Sequence, residues 1–167
     1  MAGGAAAATL EQLSFEEMVE KSSAIVRGRV IGTYTSAKGS LIYTHYRVLV
    51  SERWKGAAAT EADLVVPGGV MGSMRQSFPG APKLTAGADY VLFLWTSKSG
   101  LTHIIGLTQG LFDVKTDAKG NTVAVRAASG ESMLDRATGK PVAEETFNLS
   151  MAELKARISQ AMTGAAK

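Results

Sequence analysis

The chain has no cysteine among its 167 residues, which excludes a disulfide framework and any thiolate nucleophile or thiolate metal site. That absence fits a cytosolic, periplasmic or secreted chain alike. Nor is there a run approaching the roughly 18–20 apolar residues of a membrane-spanning helix; the longest, Tyr90 to Trp95, has the length of a strand. Histidine is scarce. His45 and His103 are the only two, and neither has a histidine or carboxylate at helical ligand spacing, so neither a zinc site nor a cofactor is expected. No Gly-x-Ser-x-Gly, His-Glu-x-x-His or Walker sequence occurs. Acids such as Glu52 and Asp89 have no visible catalytic partner, so no catalytic residue is assigned and the chain is not expected to be an enzyme. Eighteen Lys and Arg against 15 Asp and Glu leave a net charge of +3, too little to dictate nucleic-acid or lipid binding.

The beginning, Met1-Ala-Gly-Gly-Ala-Ala-Ala-Ala-Thr9, lacks both the basic and the leucine-rich regions of a signal peptide. It reads as the start of a mature chain left by cleavage of a leader, and an exported location, periplasmic or secreted, is expected, the signal peptide itself being absent from this sequence. Residues 1–9 are expected to be a disordered N-terminus, 10–163 a single domain, and 164–167 a disordered tail. With 46% hydrophobic and 20% charged residues, such a domain has ordinary globular composition.

Its pattern is mainly β. Ile42 to Trp54 alternates: Ile42, Thr44, Tyr46, Val48, Val50, Glu52 and Trp54 fall on the more apolar face, and Tyr43, His45, Arg47, Leu49, Ser51 and Arg53 on the more polar one. Before it, Ala24 to Thr35 alternates too, with Val26, Val30 and Tyr34 on the apolar side and Gly28 and Gly32 as bending points. Ala62–Val66, Ala88–Thr96, Leu101–Leu107, Leu111–Lys115 and Thr122–Arg126 complete the strands. The contiguous apolar run in Ala88–Thr96 predicts a strand covered on both faces. Ser14-Phe-Glu-Glu17 and Ser150-Met-Ala-Glu153 are capping boxes, predicting a short helix that buries Phe15, Met18 and Val19, and a terminal helix over 150–162. Between Gly68 and Gly87 lies a connection too long for an ordinary loop, and after Ala127 the pattern thins to a polar stretch.

Helix, kinked strand, hairpin, long strand ending in Trp54-Lys55-Gly56, short strand, irregular loop and apolar strand: this order looks like a five-stranded OB-type barrel with an additional hairpin and the two helices. On Ser23-Ala-Ile-Val-Arg-Gly-Arg-Val30, Tyr46-Arg-Val-Leu-Val50 and Gly87-Ala-Asp-Tyr-Val-Leu-Phe-Leu94, it resembles netrin-like modules and the N-terminal domains of tissue inhibitors of metalloproteinases. On Val65-Val-Pro-Gly-Gly69 and Gly106-Leu-Thr-Gln-Gly-Leu-Phe112, it is also similar to uncharacterised exported bacterial proteins. The resemblance implies a non-catalytic binding module, with a protease as one conceivable partner. The inhibitors' N-terminal cysteine has no counterpart here, so their zinc-directed mechanism does not carry over.

Two surfaces are candidates. In the 68–87 loop, Met71, Met74, Arg75 and Phe78 make an adaptable apolar patch with a charge, suited to a protein partner; a loop capping the core would bury Met74 and Phe78 instead. On the first hairpin, Arg27, Arg29, Tyr43, His45 and Arg47 combine bases with stackable rings. That set suits nucleic acid or an acidic polysaccharide as the alternative partner, though a solvated or helix-covered strand face would look the same. With Ala37–Gly39 topping the hairpin, Arg29 is expected opposite Arg47, Ile31 opposite His45 and Thr33 opposite Tyr43.

Overall fold

The computed structural model describes residues 8–165; residues 1–7 and 166–167, where the disordered ends were expected, lie outside it. The described chain begins with β1 (Thr9–Glu11) and α1 (Phe15–Lys21). At the head of α1 the Glu17 N–H donates to Ser14 Oγ at 3.1 Å and the Ser14 N–H to the Glu17 carboxylate at 2.8 Å. Both orphan donors are met, and the helix lays Phe15, Met18 and Val19 into the core. The long strands β2 (Ala24–Lys38) and β3 (Leu41–Lys55) come next. The two residues between them are Gly39 and Ser40, Gly39 supplying a φ of +62°. After them come β4 (Glu61–Pro67), β5 (Gly69–Met71), β6 (Met74–Gln76), β7 (Asp89–Thr96) and β8 (Thr102–Ile104). The chain continues through β9 (Leu111–Thr116), β10 (Thr122–Arg126), β11 (Ser132–Leu134), β12 (Pro141–Val142), β13 (Phe147–Ser150) and α2 (Met151–Ala165).

The main sheet runs β13-β10-β9-β7-β2-β3-β4-β8. Strand β8 also pairs antiparallel with the end of β7, Trp95 opposite His103, and touches β4 in parallel at Val65 opposite His103. Strands β1, β11 and β12 form a small sheet of their own, and β5 and β6 a hairpin. Alternation along β7 divides the interior in two. Val91 and Phe93 join Phe15, Met18, Phe112, Phe147, Leu154 and Ile158 in a core beneath the helices. Tyr90, Leu92 and Leu94 join Val26, Val30, Tyr46, Val48, Leu64 and Leu84 in a second. The apolar run of β7 is thus covered on both faces, as its composition predicts, and each such side chain contributes about 1.5–3 kcal/mol by leaving water.

Several expectations are corrected. The β2–β3 register slips between Ile25 and Val26, between Arg27 and Gly28, and between Val30 and Gly32, so Arg29 lies opposite Leu49, Gly32 opposite Arg47 and Tyr34 opposite His45. No two arginines face each other across this ladder. The last slip leaves Ile31 as an extra residue, which flips the parity. Tyr34, expected beside Val26 and Val30, therefore points outward and is 46% exposed. The first slip beside a glycine is steric: a Cβ on Gly28 would lie 2.5 Å from the Leu49 carbonyl oxygen. The region after Ala127 holds three strands, too short to show a period, and β13 joins the main sheet through β10. Thr9, expected in the disordered N-terminus, pairs with Ser132. The strand expected over Leu101–Leu107 is confined to β8, and α2 extends beyond its expected end at 162.

Candidate functional site

The 68–87 connection is not irregular throughout: it opens with the β5–β6 hairpin. Gly68 and Gly69 turn the chain with φ of +102° and +138°, and a Cβ on Gly69 would lie 2.6 Å from Thr44 Oγ1. Only glycine permits this approach. Gln76 then fastens the hairpin to β3: its Oε1 accepts from the Ile42 N–H at 2.7 Å and its Nε2 donates to the Ser40 carbonyl at 2.6 Å. Thr44 Oγ1 donates to the Gly68 carbonyl at 2.8 Å. A hairpin held this way presents Val70, Met71 and Met74, and Phe78 follows two residues beyond it, all four between 38% and 57% exposed. Of the four predicted contact residues, Arg75 and Phe78 line a groove of about 480 Å³ beneath the hairpin, whereas Met71 and Met74 stand outside it at the tip. Met74 and Phe78 do not cap the core.

On the hairpin face of β2 and β3, two of the three predicted arginines are held by acids. Arg27 reaches Asp89 at 2.9 Å and Glu52 at 3.6 Å, and Arg47 reaches Glu61 at 3.0 Å. Arg29 is exposed and without an ion pair among the described residues. His45, predicted on the solvent side, does lie on the outer face but is only 8% exposed. Tyr34 covers it, the rings stacked with centroids 4.2 Å apart.

Beneath that ring His45 bridges three strands. Nε2 lies 2.6 Å from Ser36 Oγ on β2, and Nδ1 lies 2.7 Å from Asp63 Oδ1 on β4. The Tyr34 hydroxyl donates to the other oxygen of Asp63, and this bond pushes the phenol pKa up. Hydroxyl, imidazole and carboxylate stand in the hydrogen-bond order of nucleophile, base and orienting acid, so the chain does assemble an acid–base set that local spacing does not reveal. Across β4 there is a second stack: Trp95 lies on His103 at 4.9 Å, with Tyr43 edge-on to His103 at 6.4 Å. Burial pushes the His103 pKa down.

Tyr43 and His45 were legible as face residues from alternation, while Tyr34 was lost to the bulge. Ser36 and Asp63 carry no local signal, because the strand register alone brings them to His45. Trp95 and His103 become partners only through the β7–β8 pairing. Among the described residues no group of three or more His, Asp or Glu side chains is arranged to hold a metal, and no helix is long and apolar enough to cross a membrane. No family model, no curated protein and no solved structure matches the chain. The netrin-like resemblance therefore stands on its residues alone.

Proposed function

We propose that this chain is a non-catalytic, exported binding module that engages a protein partner through the β5–β6 hairpin, a protease being one class of partner the netrin-like resemblance implies. The observation that carries this is the hairpin itself: three large apolar side chains presented to solvent on a support fastened by Gln76, with Phe78 exposed just after it. Apolar surface held out on a braced element, and not folded inward, is what protein interfaces use at their centres. The framework proposed is an OB-like ring of β7, β2, β3, β4 and β8, supported by the two pairings of β8. A non-catalytic role is supported by Tyr34, which lies flat on the His45 ring, so that Ser36, His45 and Asp63 serve as a brace across three strands.

The alternative, nucleic acid or an acidic polysaccharide on Arg27, Arg29, Tyr43, His45 and Arg47, gains from the stacked rings and loses from the carboxylates already held by Arg27 and Arg47. Salt and substitution separate the two. A partner captured from an extract of the source organism is expected to be retained as salt rises and lost on M71D/M74D. Capture that fades steeply with salt and survives M71D/M74D would transfer the function to the basic face.

A further inference from the structure

We propose that the groove beneath the β5–β6 hairpin is a binding site for a small amphipathic carboxylate, an alkyl chain ending in an anionic head. This goes beyond the protein-binding reading: the groove shares Val70, Arg75 and Phe78 with that surface, but Met71 and Met74 at the tip do not line it. Its floor is the second core coming to the surface: Tyr46, Val66 and Leu84 belong both to that core and to the groove wall, with Phe78, Ala81 and Pro82 closing the sides. At about 480 Å³ it has the volume of a small-molecule site, and a concave apolar wall with a few polar groups is the usual make-up of one.

The charge pattern selects the ligand. Arg75 and Lys83 are the only charged residues of the lining, and no carboxylate accompanies them. Among the other described arginines, 27, 47, 136 and 157 hold an acidic partner while 29, 53 and 126 do not. What marks Arg75 and Lys83 is their place together in the lining of an apolar groove that has no acid. Arg75 and Lys83 hold none among the described residues. Two unmatched cations at an apolar trough complement an anion with a hydrocarbon tail, and neither a neutral lipid nor a hydrophilic anion satisfies both halves. The site is also built in advance, since the Gln76 and Thr44 bonds fix the hairpin that roofs it.

The test is a titration of the full chain with decanoate, below its micelle concentration, followed by amide and aromatic NMR shifts, with 1-decanol and acetate as controls. Saturable shifts centred on Tyr46, Phe78 and Leu84 are expected with decanoate and none with acetate. R75Q/K83Q should weaken decanoate by about tenfold or more, the worth of one charge-assisted hydrogen bond, and leave decanol affinity within about twofold. The groove-filling A81F should block both ligands, and M71D/M74D should bind decanoate as the parent does. Shifts centred elsewhere, equal response to decanol and decanoate, or decanoate affinity untouched by R75Q/K83Q would overturn the proposal. Loss of the protein partner on M71D/M74D, with decanoate retained, tests the hairpin tip separately, so that one reading can fail without the other.

Discussion

His103 shows how a single residue links position to solution behaviour. Stacked on Trp95 and edge-on to Tyr43, it loses water that an imidazolium would need, and its pKa falls below the ordinary 6.5. The unfolded chain therefore takes up a proton near pH 6.5 that the folded chain resists. Its contribution to stability is complete above that pH, is lost as pH falls toward the lowered folded value, and levels off below it. Urea denaturation between pH 7.5 and 5 is expected to show this decline in the parent and a shallower one in H103Q; parallel curves would show that the ring is solvated. Further into acid, Glu17, Asp117 and Asp135 take over, each held below its usual range by backbone N–H donors, and that loss is expected to be the same in both chains. Arg126 has the opposite setting. It is buried between Phe112 and Phe147 and donates to the Glu145 carbonyl at 2.9 Å and to the Gln109 carbonyl. R126M, which keeps the volume and leaves both carbonyls unmet, is expected to cost about 1–3 kcal/mol by chemical denaturation.

Among the elements, the β5–β6 hairpin depends on one side chain. In Q76A the Ile42 N–H and the Ser40 carbonyl lose their partner, a cost of about 1–2 kcal/mol, and hydrogen exchange is expected to quicken across residues 69–76 while the amides of β7 keep their protection. Equal loosening of β7 would show the hairpin to be part of the global fold. How much of this was readable beforehand differs from strand to strand. The alternation from Ile42 to Trp54 and both capping boxes specify β3, α1 and the start of α2, since each rests on neighbours in sequence. Gly28 and Gly32 marked where β2 departs from regularity, but not that the departure adds Ile31 and reverses the faces beyond it. The Ser36–His45–Asp63 contact depends on that reversal and on the pairing of β4. A contact fixed by the register of three strands leaves no trace in any one of them. Likewise β11, β12 and β13 run two to four residues each, shorter than the stretch over which a period can be seen.

At the scale of the whole molecule, β7 makes the two cores one structure. Val91 and Phe93 face one of them, Tyr90, Leu92 and Leu94 the other, so neither can melt without exposing half of this strand. L154A, under the helices, is expected to cost about 2–5 kcal/mol and to lower the exchange protection of Val48 and Leu64 in the opposite core by the same amount. Protection retained there while the α2 side opens would mean two independent units.

The two tryptophans sit in different settings on the helical side of β7. Trp54 packs against the helical core with Lys155 5.7 Å above its ring, while Trp95 rests on His103 at the outer surface. The chain thus carries two native optical gauges without a label being attached, one where β3 meets α2 and one on the imidazole at the β7–β8 edge. Protonating the imidazole beneath Trp95 is expected to dim that indole and leave Trp54 unchanged, so one signal follows the β7–β8 edge and the other the contact of β3 with α2.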